Sequence, residues 1–88
     1  MKSDHSVIAQ KSFAFAVKIV QVYKRLTTDH KEYVISKQLL RSGTSIGANV
    51  REASHAQSIA DFIHKLSISQ KESNETRYWL DLLKATAT

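Results

Sequence analysis

The sequence predicts an all-α protein, folded as an up-down antiparallel helical bundle with three helices in this chain. The chain has no proline and only two glycines, which leaves few turn signals for a β fold. Its apolar residues recur at spacings of three and four, as on one face of a helix. At 88 residues it is long enough for one domain, so we expect residues 1–88 to form a single helical-bundle domain, with residues 1–11 as a loose N-terminal arm.

Composition excludes several classes of protein. The chain has no cysteine, which excludes a disulfide scaffold, a cysteine nucleophile and a thiolate metal site. Its longest apolar run, residues 13–17, is too short to cross a bilayer, and no secretion leader opens the sequence. We therefore expect a cytoplasmic protein without a membrane partner. The net charge of +5 favours nucleic acid as a partner, although solubility alone also favours a net charge.

The first helix is predicted over residues 12–26, with Ser12 as its N-cap. It carries two apolar stripes on different faces. The first comprises Phe13, Ala16, Val17, Val20 and Tyr23, and the second comprises Phe15, Ile19, Val22 and Leu26. A surface helix usually has one such stripe, so two stripes indicate packing partners on two sides.

The second helix is predicted over residues 30–55, with Asp29 and Glu32 forming a capping box at its start. Gly43 and Gly47 lie four residues apart within its apolar face. A glycine inside a helix costs about 1 kcal/mol relative to alanine. We therefore expect close packing of another helix against both glycines, with a kink near residues 42–45 as the alternative.

The third helix is predicted from Ile59, after a capping pattern of Ser58 and Asp61, and reaches Lys84. Its seam has a small polar centre and comprises Ile59, Phe62, Leu66, Ser69, Ser73, Thr76, Leu80 and Leu83. Three helices cannot cover all of these stripes, so either a fourth helix is missing from this chain or neighbouring copies cover them. The predicted oligomer interface comprises Phe15, Ile19, Val22, Ile68, Trp79 and Leu82.

Basic residues form two candidate strips for binding nucleic-acid phosphates. The first helix carries Lys11, Lys18 and Arg25 at intervals of seven, and the second helix carries Lys37, Arg41 and Arg51 on one face. No aromatic residue is interleaved with them, so we expect backbone contacts rather than base stacking. The alternatives are an ordinary solvated surface and a scaffold that recruits a protein partner.

A metal or catalytic site has weaker support. Glu52 with His55, and Asp61 with His64, have the carboxylate-x-x-His spacing of di-metal bundles. Both pairs flank one turn, and the first helix has no acid over residues 11–26. Serines near His55 lack the strained turn of a nucleophile. We expect no enzymatic activity, catalytic residue, metal or cofactor, and a di-metal enzyme is a remote alternative.

The most distinctive stretch is residues 36–53, SKQLLRSGTSIGANVREA. It closely resembles the signature of the 23S ribosomal RNA intervening-sequence proteins, a family of four-helix bundles. Residues 11–16 resemble the first helix of that family, and residues 60–68 and 75–80 its third. The resemblance implies a bacterial cytoplasmic protein that assembles as a homopentamer and has no established enzymatic activity, and binding of RNA or DNA is the usual proposal for the family. Members usually have a further helix after the position of Leu83, which this sequence lacks.

Overall fold

Three helices build the molecule. The computed structural model describes residues 2–87, and the side chains of residues 7–87. Helix α1 spans Lys2–Thr28, α2 spans Ile35–Ala53 and α3 spans Ile59–Thr86. The all-α fold class is therefore confirmed. No helix in the described part of the chain is long and apolar enough to span a membrane.

Helix α2 lies between the other two helices and runs antiparallel to both. Contacts between α1 and α2 pair Ile19 with Gly43 and Ser12 with Gly47. Contacts between α2 and α3 also run in opposite order. Thr76 of α3 bonds to Ser42 in the first half of α2, whereas Lys65, earlier in α3, pairs with Glu52 near the end of α2. Within the described residues, no Cα atom of α1 lies within 8 Å of a Cα atom of α3. The result is an elongated molecule of 46 × 18 × 15 Å.

Helix α1 begins at Lys2, ten residues before the predicted start. The prediction of an N-cap at Ser12 is wrong, because its hydroxyl donates to the carbonyl of Ala9 at 3.2 Å inside the helix. The loose arm predicted for residues 1–11 is helical from Lys2 onward, and Met1 lies outside the described residues. The physical reason lies in the sequence, since Ile8 extends the stripe of Phe15 and Ile19 backward at helical spacing.

Helix α2 begins at Ile35 rather than at His30, because Glu32 caps it from outside. The Glu32 carboxylate accepts backbone N–H groups of Val34, Ile35 and Ser36 at 3.2, 2.9 and 2.6 Å. Burial raises the pKa of Glu32, but these hydrogen bonds together lower it by more, so its pKa lies below the usual value. The predicted capping role of Asp29 is wrong, because α2 begins only at Ile35 and the N–H of Glu32 donates to the carbonyl of Leu26 rather than to the Asp29 side chain.

Helix α3 begins at Ile59, which confirms the predicted start. The Ser58 hydroxyl accepts the N–H of Asp61 at 3.0 Å, as a capping serine does. The helix continues to Thr86, two residues beyond the predicted end. Ile59 itself is largely exposed, and Ser73 and Leu80 are exposed as well, so these three positions of the predicted seam do not lie in the core.

Both glycines of α2 lie against α1. A Cβ atom on Gly43 would lie 2.8 Å from Cγ1 and 2.9 Å from Cγ2 of Ile19. A Cβ atom on Gly47 would lie 3.2 Å from the carbonyl oxygen of Ser12. Helix α2 continues without interruption through residues 42–45, so close approach of α1 accounts for the glycines.

Small polar side chains fill the interface between α2 and α3. The hydroxyls of Ser42 and Thr76 are hydrogen-bonded at 2.9 Å, and Ser69 donates to the carbonyl of Ile46 at 2.8 Å. Ser42, Ser69 and Thr76 are all buried. Because these side chains are short and satisfied by partners across the interface, the two helices pack closely without leaving unpaired polar groups.

Candidate nucleic-acid interface and apolar groove

An open groove separates α1 from α3, with α2 as its floor. Its volume is about 490 Å³. The apolar residues that line it are Val7, Ile8, Phe15, Ile46, Val50 and Leu80. The groove exists because α1 and α3 each pack on α2 but not on each other.

Cations stand on both walls of this groove. Lys11 of α1 and Arg77 of α3 line it. Lys18 and Arg25 follow Lys11 at intervals of seven and therefore lie on the same side of α1. Of the predicted strip of the first helix, Lys11 therefore lines the groove, and Lys18 and Arg25 continue along the same side of α1 beyond the lining residues.

The basic residues of α2 lie on a different surface. Ile46 and Val50 form the groove floor, and helical spacing places Lys37 and Arg41 on the opposite side of α2. Arg51 lines a separate depression, where its guanidinium carbon lies 5.9 Å from the ring centroid of Phe13. The six predicted phosphate-binding residues are therefore divided between two faces of the molecule.

Arg41 is held by two carboxylates of α3. Its guanidinium contacts Glu72 at 3.3 Å and also pairs with Glu75. The Trp79 indole N–H donates to Glu75 at 3.0 Å. The hydrogen bond from Arg41, and then that from Trp79, hold the pKa of Glu75 below its usual value. The charge of Arg41 is therefore compensated within the molecule, which weakens its support as a phosphate ligand, and that role stays a prediction.

A second ion pair joins the far ends of α2 and α3. Lys65 Nζ contacts Glu52 at 2.8 Å, and this hydrogen bond lowers the pKa of Glu52. Glu52 is one of the carboxylates considered for a metal site, and Asp61, the other, lies in the capped first turn of α3. Among residues 7–87, no group of three or more His, Asp and Glu side chains is placed to hold a metal.

The predicted oligomer interface needs one correction. Ile19 is only 3% exposed and packs on Gly43, so it has no free surface for another chain. The other five residues, Phe15, Val22, Ile68, Trp79 and Leu82, are half-buried, and their role remains a prediction. Trp79 meets the ring of Tyr78 edge-on, with centroids 5.0 Å apart.

Sequence reasoning missed two features of these surfaces. Arg77 was not singled out, although it lies three residues before Leu80 and therefore shares its side of α3. Phe13 and Val17 belong to the first stripe of α1 but are 58% and 41% exposed. Spacing along each helix predicts both features, but only once it is known which face of that helix packs against α2.

The chain is similar to known proteins in both sequence and structure. The sequence profile of the 23S rRNA-intervening sequence protein family matches residues 4–88. A crystal structure of a protein of unknown function from the S23 ribosomal protein family of Bacteroides thetaiotaomicron VPI-5482 is similar, with a TM-score of 0.93 and 61% identity. The match covers 94% of this chain and 74% of that chain. A search of curated proteins finds no match.

Proposed function

This chain belongs to the 23S rRNA-intervening sequence protein family, and on that premise we propose that it is a non-catalytic protein that binds the phosphate backbone of RNA or DNA. It acts in the bacterial cytoplasm as a homo-oligomer, with the pentamer expected from the family. The α1 strip, defined as Lys11, Lys18 and Arg25, makes the phosphate contacts. Lys37, on the opposite side of α2, and Arg51, in the depression beside Phe13, are secondary contacts.

The observation that supports this proposal is the uncompensated charge of α1. Residues 7–28 contain four cations and no carboxylate. All ion pairs between the described side chains join α2 to α3, and Glu32 is engaged in capping α2. Four glutamates are thus engaged away from α1, and α1 presents its positive charge to solvent, where a polyanion is attracted to it.

Spacing along α1 suits a backbone contact. Residues seven apart in a helix are separated by about 10 Å, so the α1 strip extends over about 21 Å. Each lysine or arginine that neutralises a phosphate releases condensed counterions, which makes the affinity depend on salt. Contacts of this kind position the protein without reading base sequence.

The test is a salt titration of binding to duplex DNA and to structured RNA. The triple variant Lys11→Gln, Lys18→Gln, Arg25→Gln removes the α1 strip. We expect it to reduce the slope of log K against log salt on B-DNA by about 2–3, since each phosphate contact contributes about 0.9. The matched control, Lys31→Gln, Lys71→Gln, Lys84→Gln, removes three exposed cations elsewhere.

Two outcomes would refute the proposal. One is an affinity that does not fall as salt rises, because phosphate contacts would then not drive binding. The other is an equal loss in the two triple variants, because net charge rather than the α1 strip would then account for the affinity. Circular dichroism of both variants verifies that their helical content is unchanged.

Protein recruitment is the second candidate function, and the apolar groove favours it. The groove leaves large apolar side chains exposed, which is typical of a surface that binds another protein. Treatment of a purified complex with nuclease distinguishes the two functions, since a protein partner bound through the groove is retained at fixed stoichiometry and one tethered by nucleic acid is lost.

A further inference from the structure

The depression beside Phe13 lies on the other side of α2 from the groove. It is lined by residues of α1 and α2, among them Ala48. Ala48 is two residues from both Ile46 and Val50, which line the groove, so it faces the opposite side of α2. A helix that fills the groove therefore leaves this depression open.

Small residues leave room in the depression. Ala9 and Ala16 of α1 line it together with Gly47 and Ala48 of α2. Its volume is about 410 Å³, which is within the range of about 300–1,000 Å³ of small-molecule sites. Because none of these four side chains extends beyond a methyl group, a flat ring can approach both helices closely.

One wall of the depression is a cation placed over an aromatic ring. The guanidinium carbon of Arg51 lies 5.9 Å from the ring centroid of Phe13, and Phe13 is 58% exposed. Aromatic rings and guanidinium planes are the surfaces on which proteins stack unpaired bases. The two residues are far apart in sequence, so the expectation of backbone contacts alone, drawn from neighbours along each helix, does not include this pair.

The charges of this face favour a polyanion. The ion pairs between described side chains use Arg41 and Lys65, which leaves Arg51 without a carboxylate partner among them. Glu52 also lines the depression, but Lys65 compensates its charge at 2.8 Å. Lys37 is exposed and lies on the same side of α2 as Arg51, about four helical turns or about 21 Å away. A nucleic-acid strand at the depression therefore meets one cation beside its base and a second along its backbone.

We infer that the depression holds one unpaired base of a single-stranded nucleic acid, which packs its flat face against the pair of Phe13 and Arg51 while Lys37 contacts the backbone of the same strand. This inference rests on the proposed nucleic-acid binding and adds a single-strand site to it. Bases in a duplex are stacked on one another and do not enter the depression. Every base has a π face, so the site accepts bases without selecting a sequence.

The test compares two fluorescein-labelled strands that carry the same phosphates. One is decathymidylate, and the other is an abasic strand of equal length, which has no bases to stack. Fluorescence anisotropy measures their affinities for the full chain. We expect decathymidylate to bind about tenfold more tightly, which corresponds to about 1.4 kcal/mol and is of the size that one stacked base contributes. Decauridylate and an abasic RNA strand form a second arm, and a preference for the strand with bases in either arm supports the inference.

Substitutions at Phe13 separate stacking from charge. Phe13→Leu keeps the apolar bulk but removes the ring, and we expect it to bind the two strands equally. Phe13→Trp restores a ring, so we expect it to keep the preference, and its added indole fluorescence is quenched by decathymidylate but not by the abasic strand. The matched control is Tyr33→Leu, because Tyr33 is 59% exposed and lies outside the lining of the depression. It keeps the preference for decathymidylate.

Failure of this inference is distinguishable from failure of the proposed function. Salt-dependent binding of both strands with equal affinity by the native chain, in both arms, overturns the base site and leaves the phosphate contacts standing. No binding to any strand or to duplex DNA overturns both. The base site is also overturned if Phe13→Leu and Tyr33→Leu lose the same affinity, or if Phe13→Leu weakens duplex binding as much as it weakens decathymidylate binding.

Discussion

Replacing Gly43 with alanine tests how α1 and α2 are packed. The new Cβ atom would lie 2.8, 2.9 and 3.2 Å from Cγ1, Cγ2 and Cδ1 of Ile19. The two nearest atoms are the γ carbons of a β-branched side chain, which has a strongly preferred rotamer in a helix and cannot turn away. Ile19 is also buried at 3% exposure, so the helices themselves must separate to make room.

Two opposing effects set the size of the change. Alanine is favoured over glycine inside a helix by about 1 kcal/mol, whereas overpacking of a core costs about 1–3 kcal/mol. At Gly43 the short distances place the penalty in the middle of that range, so we expect a net loss of about 1 kcal/mol in the free energy of unfolding. At Gly47 the nearest atom is the carbonyl oxygen of Ser12 at 3.2 Å, so a displacement of a few tenths of an ångström suffices. We expect Gly47→Ala to be close to neutral.

The assay is urea denaturation followed by circular dichroism, with the same substitution repeated in two backgrounds. In Ile19→Ala the γ carbons are gone, so Gly43→Ala gains its helix propensity without a clash and raises the free energy of unfolding by about 1 kcal/mol. In Ile19→Val both γ carbons remain, and Gly43→Ala stays destabilising. This double-mutant cycle isolates the contact between the two positions.

A stabilising effect of Gly43→Ala in the native chain would refute the packing argument. The argument also fails if the effect has the same sign and size in the Ile19→Ala and Ile19→Val backgrounds. The comparison of Gly43→Ala with Gly47→Ala supplies a separate ranking that does not require Ile19→Ala to fold.

Three further predictions concern polar groups. The hydrogen bond from Arg41 lowers the pKa of Glu75 from 4.5. The ionised carboxylate therefore stabilises the fold above pH 4.5, and this contribution is lost as the pH falls through the folded-state pKa. We expect the difference in the free energy of unfolding between the native chain and Glu75→Gln to be smaller at pH 3 than at pH 7, as measured by urea denaturation. Glu32→Ala removes the acceptor for three backbone N–H groups and lowers the free energy of unfolding by about 1 kcal/mol, measured in the same way. Thr76→Val leaves the buried Ser42 hydroxyl without its 2.9 Å partner and costs about 1–3 kcal/mol in thermal or urea unfolding, whereas Ser42→Ala combined with Thr76→Val is closer to the native chain.

A specific result would contradict each of these three predictions. A stability gap for Glu75→Gln that widens toward pH 3 would mean that the carboxylate is destabilising when ionised. Full stability of Glu32→Ala would show that water replaces the cap without cost, with Asp29→Ala as the matched loss of a carboxylate that does not cap α2. For the hydroxyl pair, a stability loss in the double variant that exceeds the sum of the losses in the two single variants would show that an unpaired hydroxyl is not the source of the loss.

Local patterns were predictable from the sequence where the partners are neighbours along the chain. The start of α3 at Ile59 follows from Ser58 and Asp61, which form their hydrogen bond within one turn. The start of α2 was missed for a physical reason. Glu32 reaches its backbone donors through a turn in which Lys31 has a φ of 56°, and a capping box assumes that the first residue, not the second, caps the helix.

Contacts between residues that are distant in sequence could not be predicted from local patterns. Arg41 and its carboxylates lie more than thirty residues apart, so its neutralisation was invisible to helical spacing. Helical spacing places the α1 strip on one side of α1, and its role stays a prediction. The position of Lys11 on a groove wall opposite Arg77 depends on which face of α1 packs against α2, and the two apolar stripes of α1 gave no means of choosing that face.

The central position of α2 has a consequence for how the molecule comes apart. Each outer helix packs only on the middle one, so either outer helix can detach from α2 while the other stays packed on it. We therefore expect the amide protons of α2 to exchange with solvent more slowly than those of α1 and α3. The docking of both outer helices depends on the nineteen residues of α2.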